Sequence, residues 1–224
     1  FLTNDLFNLF VFFEVMLAAS YGLVLHGSGG PRVRAGLHYV AVNLLASLFF
    51  LIAAALIYGV TGPLNLAELP QRVAALNLGD RQLFDVAAAI LGVVFLVKAG
   101  AWPLNFWLPA AYGNTVPPVG AIFAILTKVG VYAVLRLWTL CFPGGDGHTP
   151  VFGGQALVWG GLATLAFGAV GMLASQQLDR LASYSVVASS GTLVAAIGFG
   201  VPALASGALF YLVTSTLAGA AMFL

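Results

Sequence analysis

Lys98 and Lys128 are the only lysines in this chain of 224 residues, and both sit in apolar runs, Leu91-Gly-Val-Val-Phe-Leu-Val-Lys98 and Ala121-Ile-Phe-Ala-Ile-Leu-Thr-Lys128. Glu14 is set the same way, in Leu9-Phe-Val-Phe-Phe-Glu-Val-Met-Leu17. An ammonium or carboxylate among hydrocarbon costs at least about 2.5–3.5 kcal/mol, so each of the three needs a compensating partner or task. Two kinds of chemistry fit. A static pair such as Glu14 with Lys98 would simply join two helices. A series of groups that take up and release protons would instead make a path through apolar surroundings. Three such groups beside a proline-rich break favour the path.

The elements that must position them follow from composition. The chain is 61% apolar and 7% charged, with a mean hydropathy of +1.03. A soluble domain carries about 25% charged residues, so this chain cannot cover a soluble surface. Disorder is excluded by the hydrophobicity. A net charge of +1 with scattered arginines excludes a nucleic-acid partner. The single cysteine, Cys141, excludes a disulfide framework and a Cys-ligated metal or iron–sulfur centre. No redox-cofactor ligands and no hydrolytic constellation are visible, so no cofactor and no bond-making enzyme activity are expected.

Seven runs are long enough, at about 20 residues, to cross a hydrocarbon core of roughly 30 Å: residues 6–25, 39–58, 83–101, 119–140, 155–174, 181–199 and 204–224. They are too long for barrel strands and do not alternate, which predicts an all-α, polytopic transmembrane helix bundle forming one membrane domain in the lipid bilayer. With no initial Met and an apolar run at its end, the chain reads as a segment incomplete at both ends. Residues 64–80 carry Leu66, Leu69, Val73 and Leu76 at helical spacing, as a short helix at the membrane interface or an amphipathic loop would. Trp102-Pro-Leu-Asn-Phe-Trp-Leu-Pro109, followed by Val116-Pro-Pro118, predicts a broken helix whose free backbone groups need partners. Arg32 and Arg34, with Arg180 on the same side by alternation, give a weak cytoplasmic preference to that face.

Counting from the nearest charged or proline span ends, Glu14 lies about 14 Å deep, Lys98 about 20 Å and Lys128 about 15 Å, all near the midplane. Asn43, Thr127, Ser185, Ser189 and Thr214, together with Thr192 and Ser215, are candidates for a hydrated polar lining between them; the alternative for each is a helix–helix hydrogen bond. His26, His38 and His148 fall at span ends or in loops and read as interfacial.

The same residues carry a family likeness. Asp5-Leu-Phe-Asn-Leu-Phe-Val-Phe-Phe-Glu-Val-Met-Leu17 resembles the fifth transmembrane helix of the antiporter-like subunits shared by Mrp-type cation/proton antiporters and respiratory complex I. Lys98-Ala-Gly-Ala-Trp-Pro-Leu-Asn-Phe-Trp-Leu-Pro109, through Leu126-Thr-Lys-Val-Gly-Val-Tyr132, resembles their seventh and eighth helices. Tyr58-Gly-Val-Thr-Gly-Pro-Leu-Asn-Leu-Ala-Glu-Leu69 and Ser183-Tyr-Ser-Val-Val-Ala-Ser-Ser-Gly-Thr192 are similar to the D-type subunits of Mrp antiporters in particular. The resemblance implies a segment covering helices five to eleven of about fourteen. Glu14 then matches the glutamate that modulates the central lysine, Lys98 the proton-carrying lysine at the helix break, and Lys128 the next lysine of the relay. The likeness departs in the last span. Thr214 follows Tyr211-Leu-Val213 where a histidine is usual, and Gly219 stands near the place of a later lysine.

Three functions follow as expectations. The first is a proton-translocating subunit of a multisubunit Na+ (monovalent cation)/H+ antiporter in the cell inner membrane. Its partners would be the other subunits of the complex, protons and monovalent cations, Na+ foremost. The second is a proton-pumping membrane subunit of a complex I-like dehydrogenase or a membrane-bound hydrogenase. The third is a structural scaffold in which the buried charges only hold helices together. The first two share one mechanism. Burial disfavours an ammonium and a nearby carboxylate favours it, so moving Glu14 against Lys98 would switch the lysine between holding and releasing a proton. At about 4 Å and an effective dielectric near 20 that coupling is worth roughly 4 kcal/mol. It exceeds the roughly 2.3 kcal/mol that 100 mV exerts on one charge.

Overall fold

The protein is described here from a computed structural model covering residues 2–27, 29–142 and 152–224. His148 lies outside these residues. Among the described residues seven helices are long and apolar enough to cross a membrane. They are α1 (Leu6–Leu25), α2 (Gly30–Thr61), α4 (Leu78–Ala99), α6 (Pro117–Cys141), α7 (Gly154–Ala174), α8 (Leu178–Gly198) and α9 (Pro202–Phe223). Two short helices, α3 (Leu69–Ala74) and α5 (Leu108–Gly113), lie between them. The bundle is all-α, as composition and run length require.

Local chemistry sets the helix ends. Asp5 caps α1 by accepting the Asn8 amide at 2.8 Å, and Asn77 caps α4 by accepting the Asp80 amide at 2.9 Å. Prolines stand in the first turn of α2, α6 and α9, where a missing N–H costs nothing. Helix α2 is longer than its apolar stretch. Arg32 and Arg34 belong to its first turns rather than to a loop, and His38 lies on its exposed face, two turns in, rather than at a span end. The expected segment 64–80 is helical only over Leu69–Ala74 before α4 begins. Its Leu66, Leu69 and Val73 are buried in the protein core rather than turned to lipid.

The two ends of the bundle are tied separately. At one, Asp5 pairs with Asn65 in an isolated antiparallel bridge, and Arg136 donates to the Thr3 carbonyl and the Asn4 side chain. At the other, Arg32 donates to the Asn114 carbonyl at 2.6 Å and to the His26 carbonyl at 2.9 Å, and Arg180 lies beside Gly113. Arg32, Arg34 and Arg180 therefore share one face of the membrane.

Helices α7 and α8 are the most closely apposed pair. Gly161 faces the backbone of Ala195, Gly168 that of Ala188, and Gly191 that of Leu165 and Gly161. Small residues allow this approach, and without a hydrophobic driving force in lipid the resulting van der Waals contact holds the pair. A methyl group at Gly161 would come within 2.8 Å of the Ala195 Cα, whereas one at Gly160 meets nothing within 4 Å. We expect Gly161→Ala to destabilise the isolated subunit by about 1–3 kcal/mol, the cost of overpacking. Gly160→Ala should be neutral or slightly stabilising, by up to about 1 kcal/mol. Thermal melts in detergent compare the two directly.

Candidate functional site

Helix α4 stops one residue after Lys98. Gly100 adopts a left-handed conformation (φ 68°), its amide bonds the Val97 carbonyl at 3.1 Å, and the Ala101 amide bonds the Leu96 carbonyl at 2.9 Å. This is a Schellman ending, and glycine is the residue that meets its positive φ without strain. The break expected from the prolines is present, but Gly100 makes it. Pro103 follows in the turns and Pro109 opens α5 instead of interrupting a helix. Lys98 thus occupies the last turn, where the exposed carbonyl ends of the helix favour a cation.

The freed backbone finds a partner in α7. The Trp102 amide donates to Thr164 Oγ1 at 2.8 Å, and the fully buried Thr164 hydroxyl donates in turn to the Gly160 carbonyl at 2.6 Å. Thr164 was not among the sequence candidates. Nothing in the spacing of a lone threonine in an apolar run links it to a break some sixty residues earlier.

Glu14 and Lys98 meet on one hydroxyl, and Lys128 lies on the adjoining helix at about the same level. Lys98 is 4% exposed and Lys128 1% exposed, while Glu14 is half-buried. The Ser47 hydroxyl on α2 donates to Glu14 Oε1 and accepts from Lys98 Nζ, the latter at 3.4 Å. Lys98 Nζ also lies 5.0 Å from the centre of the Phe13 ring, a cation–π distance. Gly130 brings α6 against the end of α4, since a methyl group there would come within 2.9–3.1 Å of the Ala99, Lys98 and Phe95 backbone. Lys128 is two residues from that contact, about 3 Å along the helix axis. It donates to Ser189 Oγ and, at 3.4 Å, to Ser190 Oγ on α8. Glu14 and Lys98 do not form a direct ion pair; among the described residues that contact is made by Arg81 and Asp85, at 3.2 Å.

The remaining candidates divide. Asn43 is buried, one turn before Ser47 on the same face, and donates to the Tyr39 carbonyl at 2.9 Å. Thr127, Ser185, Ser189, Thr192, Thr214 and Ser215 all donate to a carbonyl three or four residues back in their own helix. Ser185 alone also reaches another helix as a donor, toward Met222 Sδ on α9 at 3.6 Å, and Ser189 alone accepts from a lysine; none of the six points as a donor toward the lysines. Thr214 stands on the exposed face of α9, away from the charged centre. Ser47 and Ser190 are the contacts that sequence reasoning missed. Ser47 was detectable as the residue four after Asn43, on one helix face.

A second polar group lies toward the Arg32 end. Asn105 Nδ2, Trp107 Nε1, Tyr112 Oη and Tyr21 Oη are buried without a hydrogen-bond partner among the described residues, around the ring contacts Tyr21–Tyr39, Tyr39–Trp107 and Trp107–Tyr112. Buried donors are satisfied by protein or by water, so this region has the chemistry to hold water. On the opposite side of Ser47, Phe10, Phe13, Phe50 and Phe95 pack ring against ring and are purely apolar.

A multi-pass helical membrane protein with buried ammonium groups beside a broken helix is the class this arrangement defines. The chain belongs to the family described as NADH:quinone oxidoreductase/Mrp antiporter, transmembrane, whose model matches residues 3–224. It is 60% identical, over its whole length, to the D-type subunit of a probable K+/H+ antiporter of Rhizobium meliloti (strain 1021), of which it covers 42%. It is 40% identical to the D-type subunit of a Na+/H+ antiporter of Alkalihalophilus pseudofirmus, again over 100% of this chain and 44% of the relative. Among solved structures, the Mrp complex from Dietzia sp. DQ12-45-1b contains a chain that matches 99% of this one with a TM-score of 0.88 and 34% identity; 41% of that chain is covered. The chain thus spans less than half the length of these relatives.

Thr164 supplies the prediction here. Thr164→Val keeps the shape but leaves the Trp102 amide buried without an acceptor, which should cost about 1–3 kcal/mol. Thr164→Ser should restore most of it. Thermal unfolding of the purified protein measures both.

Proposed function

We propose that this chain is the proton-translocating part of a D-type subunit in a multisubunit monovalent cation/H+ antiporter of the cell membrane, with Glu14, Lys98 and Lys128 as the groups that carry the proton. The observation that carries the reading is the meeting of Glu14 and Lys98 on one hydroxyl at the end of a broken helix, with Lys128 on the adjoining helix. An apolar bundle has no packing reason to hold two ammonium groups at one level. The names of the relatives support an antiporter over a redox-driven pump, while the family itself spans both. Those names differ in their cation, so the proposal extends to monovalent cations as a class, with Na+ and K+ both candidates. Its partners are the other subunits of the complex.

In this reading Lys98 takes up a proton when Glu14 is ionised nearby and gives it up when that carboxylate is neutralised or moves. Lys128, held by Ser189 and Ser190, is the next acceptor.

Exchange in everted vesicles carrying the full-length subunit in its assembled complex tests this. Per assembled complex, Lys98→Ala should lower cation/proton exchange to below about a hundredth, as expected for loss of a positioned proton-transfer group. Glu14→Ala should impair exchange and Glu14→Asp should retain part of it. Lys128→Ala should lower it as well. A scaffold predicts another pattern, in which each single substitution lowers abundance and the Glu14→Ala/Lys98→Ala double variant recovers, having no unpaired charge. Normal exchange in Lys98→Ala would overturn the proposal.

A further inference from the structure

Most serines and threonines of the spans follow one habit; Ser190 and Ser47 depart from it, and Ser47 alone donates to a carboxylate. Ser20, Thr61, Thr127, Thr164, Ser183, Ser185 and Ser189 each direct a hydroxyl onto a carbonyl three or four residues back in the same helix. That local bond is the ordinary outlet for a hydroxyl inside a helix. Ser47 instead donates out of α2 to the Glu14 carboxylate on α1, while accepting from the Lys98 ammonium on α4. It is 6% exposed and sits one turn before Phe50, whose ring contacts Phe13 and Phe95 at 6.2 and 5.4 Å.

We infer that Ser47 is the relay group through which a proton passes between Lys98 and Glu14. The inference rests on the proposed function and deepens it. A hydroxyl is both donor and acceptor, so it can take one proton while giving up another. Lys98 Nζ–H breaks as a proton moves to Ser47 Oγ; the original Ser47 O–H breaks as its proton moves to Glu14 Oε1. The products are a neutral amine, an unchanged serine and a neutral carboxylic acid, with no net change of charge in the site. Reversal along the same two bonds returns the proton to Lys98; the hydroxyl rotates only before a second transfer in the same direction. Because both charges vanish together, the step avoids leaving either one alone among the phenylalanine rings, which is the costly alternative in apolar surroundings. Direct transfer is not available in this arrangement, since Lys98 and Glu14 are bridged rather than paired.

The test uses Ser47→Ala, Ser47→Thr and Lys98→Ala in the full-length subunit within its assembled complex, assayed for exchange in everted vesicles in H2O and D2O. Ser47→Ala should assemble normally and exchange roughly 100-fold more slowly, the low end of what a positioned proton-transfer group contributes. Its solvent isotope effect should rise above that of the unaltered protein as proton transfer becomes rate-limiting. Ser47→Thr, which keeps the hydroxyl, should restore most of the rate and the original isotope effect. Normal exchange in Ser47→Ala beside an inactive Lys98→Ala overturns the serine's role and leaves the proposed function standing. A slow Ser47→Ala that Thr does not rescue, or whose isotope effect is unmoved, assigns Ser47 to packing and also overturns it. Normal exchange in Lys98→Ala overturns the proposed function and the serine's role together.

Discussion

Two ammonium groups and a carboxylate cannot be left alone in an apolar bundle, and the architecture around them is arranged to meet that constraint. Lys98 is placed in the last turn of α4, its ammonium against the Phe13 ring and Ser47. Lys128 lies in mid-helix with no such terminus, and two serines of α8 take its place. These contacts need α2, α4, α6 and α8 at close and fixed separations. Gly130 sets the approach of α6 to α4, and the glycines between α7 and α8 hold α8 in a rigid pair. Packing of small residues and positioning of charge are therefore one design rather than two.

The broken helix serves the same end. An unbroken α4 would carry Lys98 on a flank with every backbone group already bonded. The Gly100 ending instead makes Lys98 a terminal residue, and the turns that follow are anchored by the bond from Trp102 to Thr164. Beyond them the buried polar groups of Asn105, Trp107 and Tyr112 line the end of the bundle that bears Arg32, while phenylalanines close the opposite side. Among the described residues the buried polar groups without a protein partner thus gather toward the Arg32 end.

Much of this was legible in the residues. Hydrophobic run length gives the seven spans because a bilayer sets a physical length, and rarity makes Glu14, Lys98 and Lys128 stand out in so apolar a chain. The ends of α2 and α4 were less legible, since helices continue past their apolar stretch wherever caps such as Asn77 or prolines such as Pro31 permit. The break was legible but its cause was not. Four prolines drew attention, whereas a glycine meeting a positive φ ended the helix. Ser47 showed only in its place one turn after Asn43, and Ser190 and Thr164 were hidden because a serine or threonine in a span looks the same whether it bonds its own helix or another, and only tertiary packing decides. Thr214 misled for that reason in the other direction.

The central claim is that Glu14 changes protonation together with Lys98. Infrared difference spectroscopy of the assembled complex, comparing proton-loaded and proton-released states, reads this directly from the carboxyl group. The account predicts a protonated-carboxyl C=O band that comes and goes between the two states and is absent in Glu14→Gln. A Glu14 that remains ionised in every state that supports exchange would contradict the account.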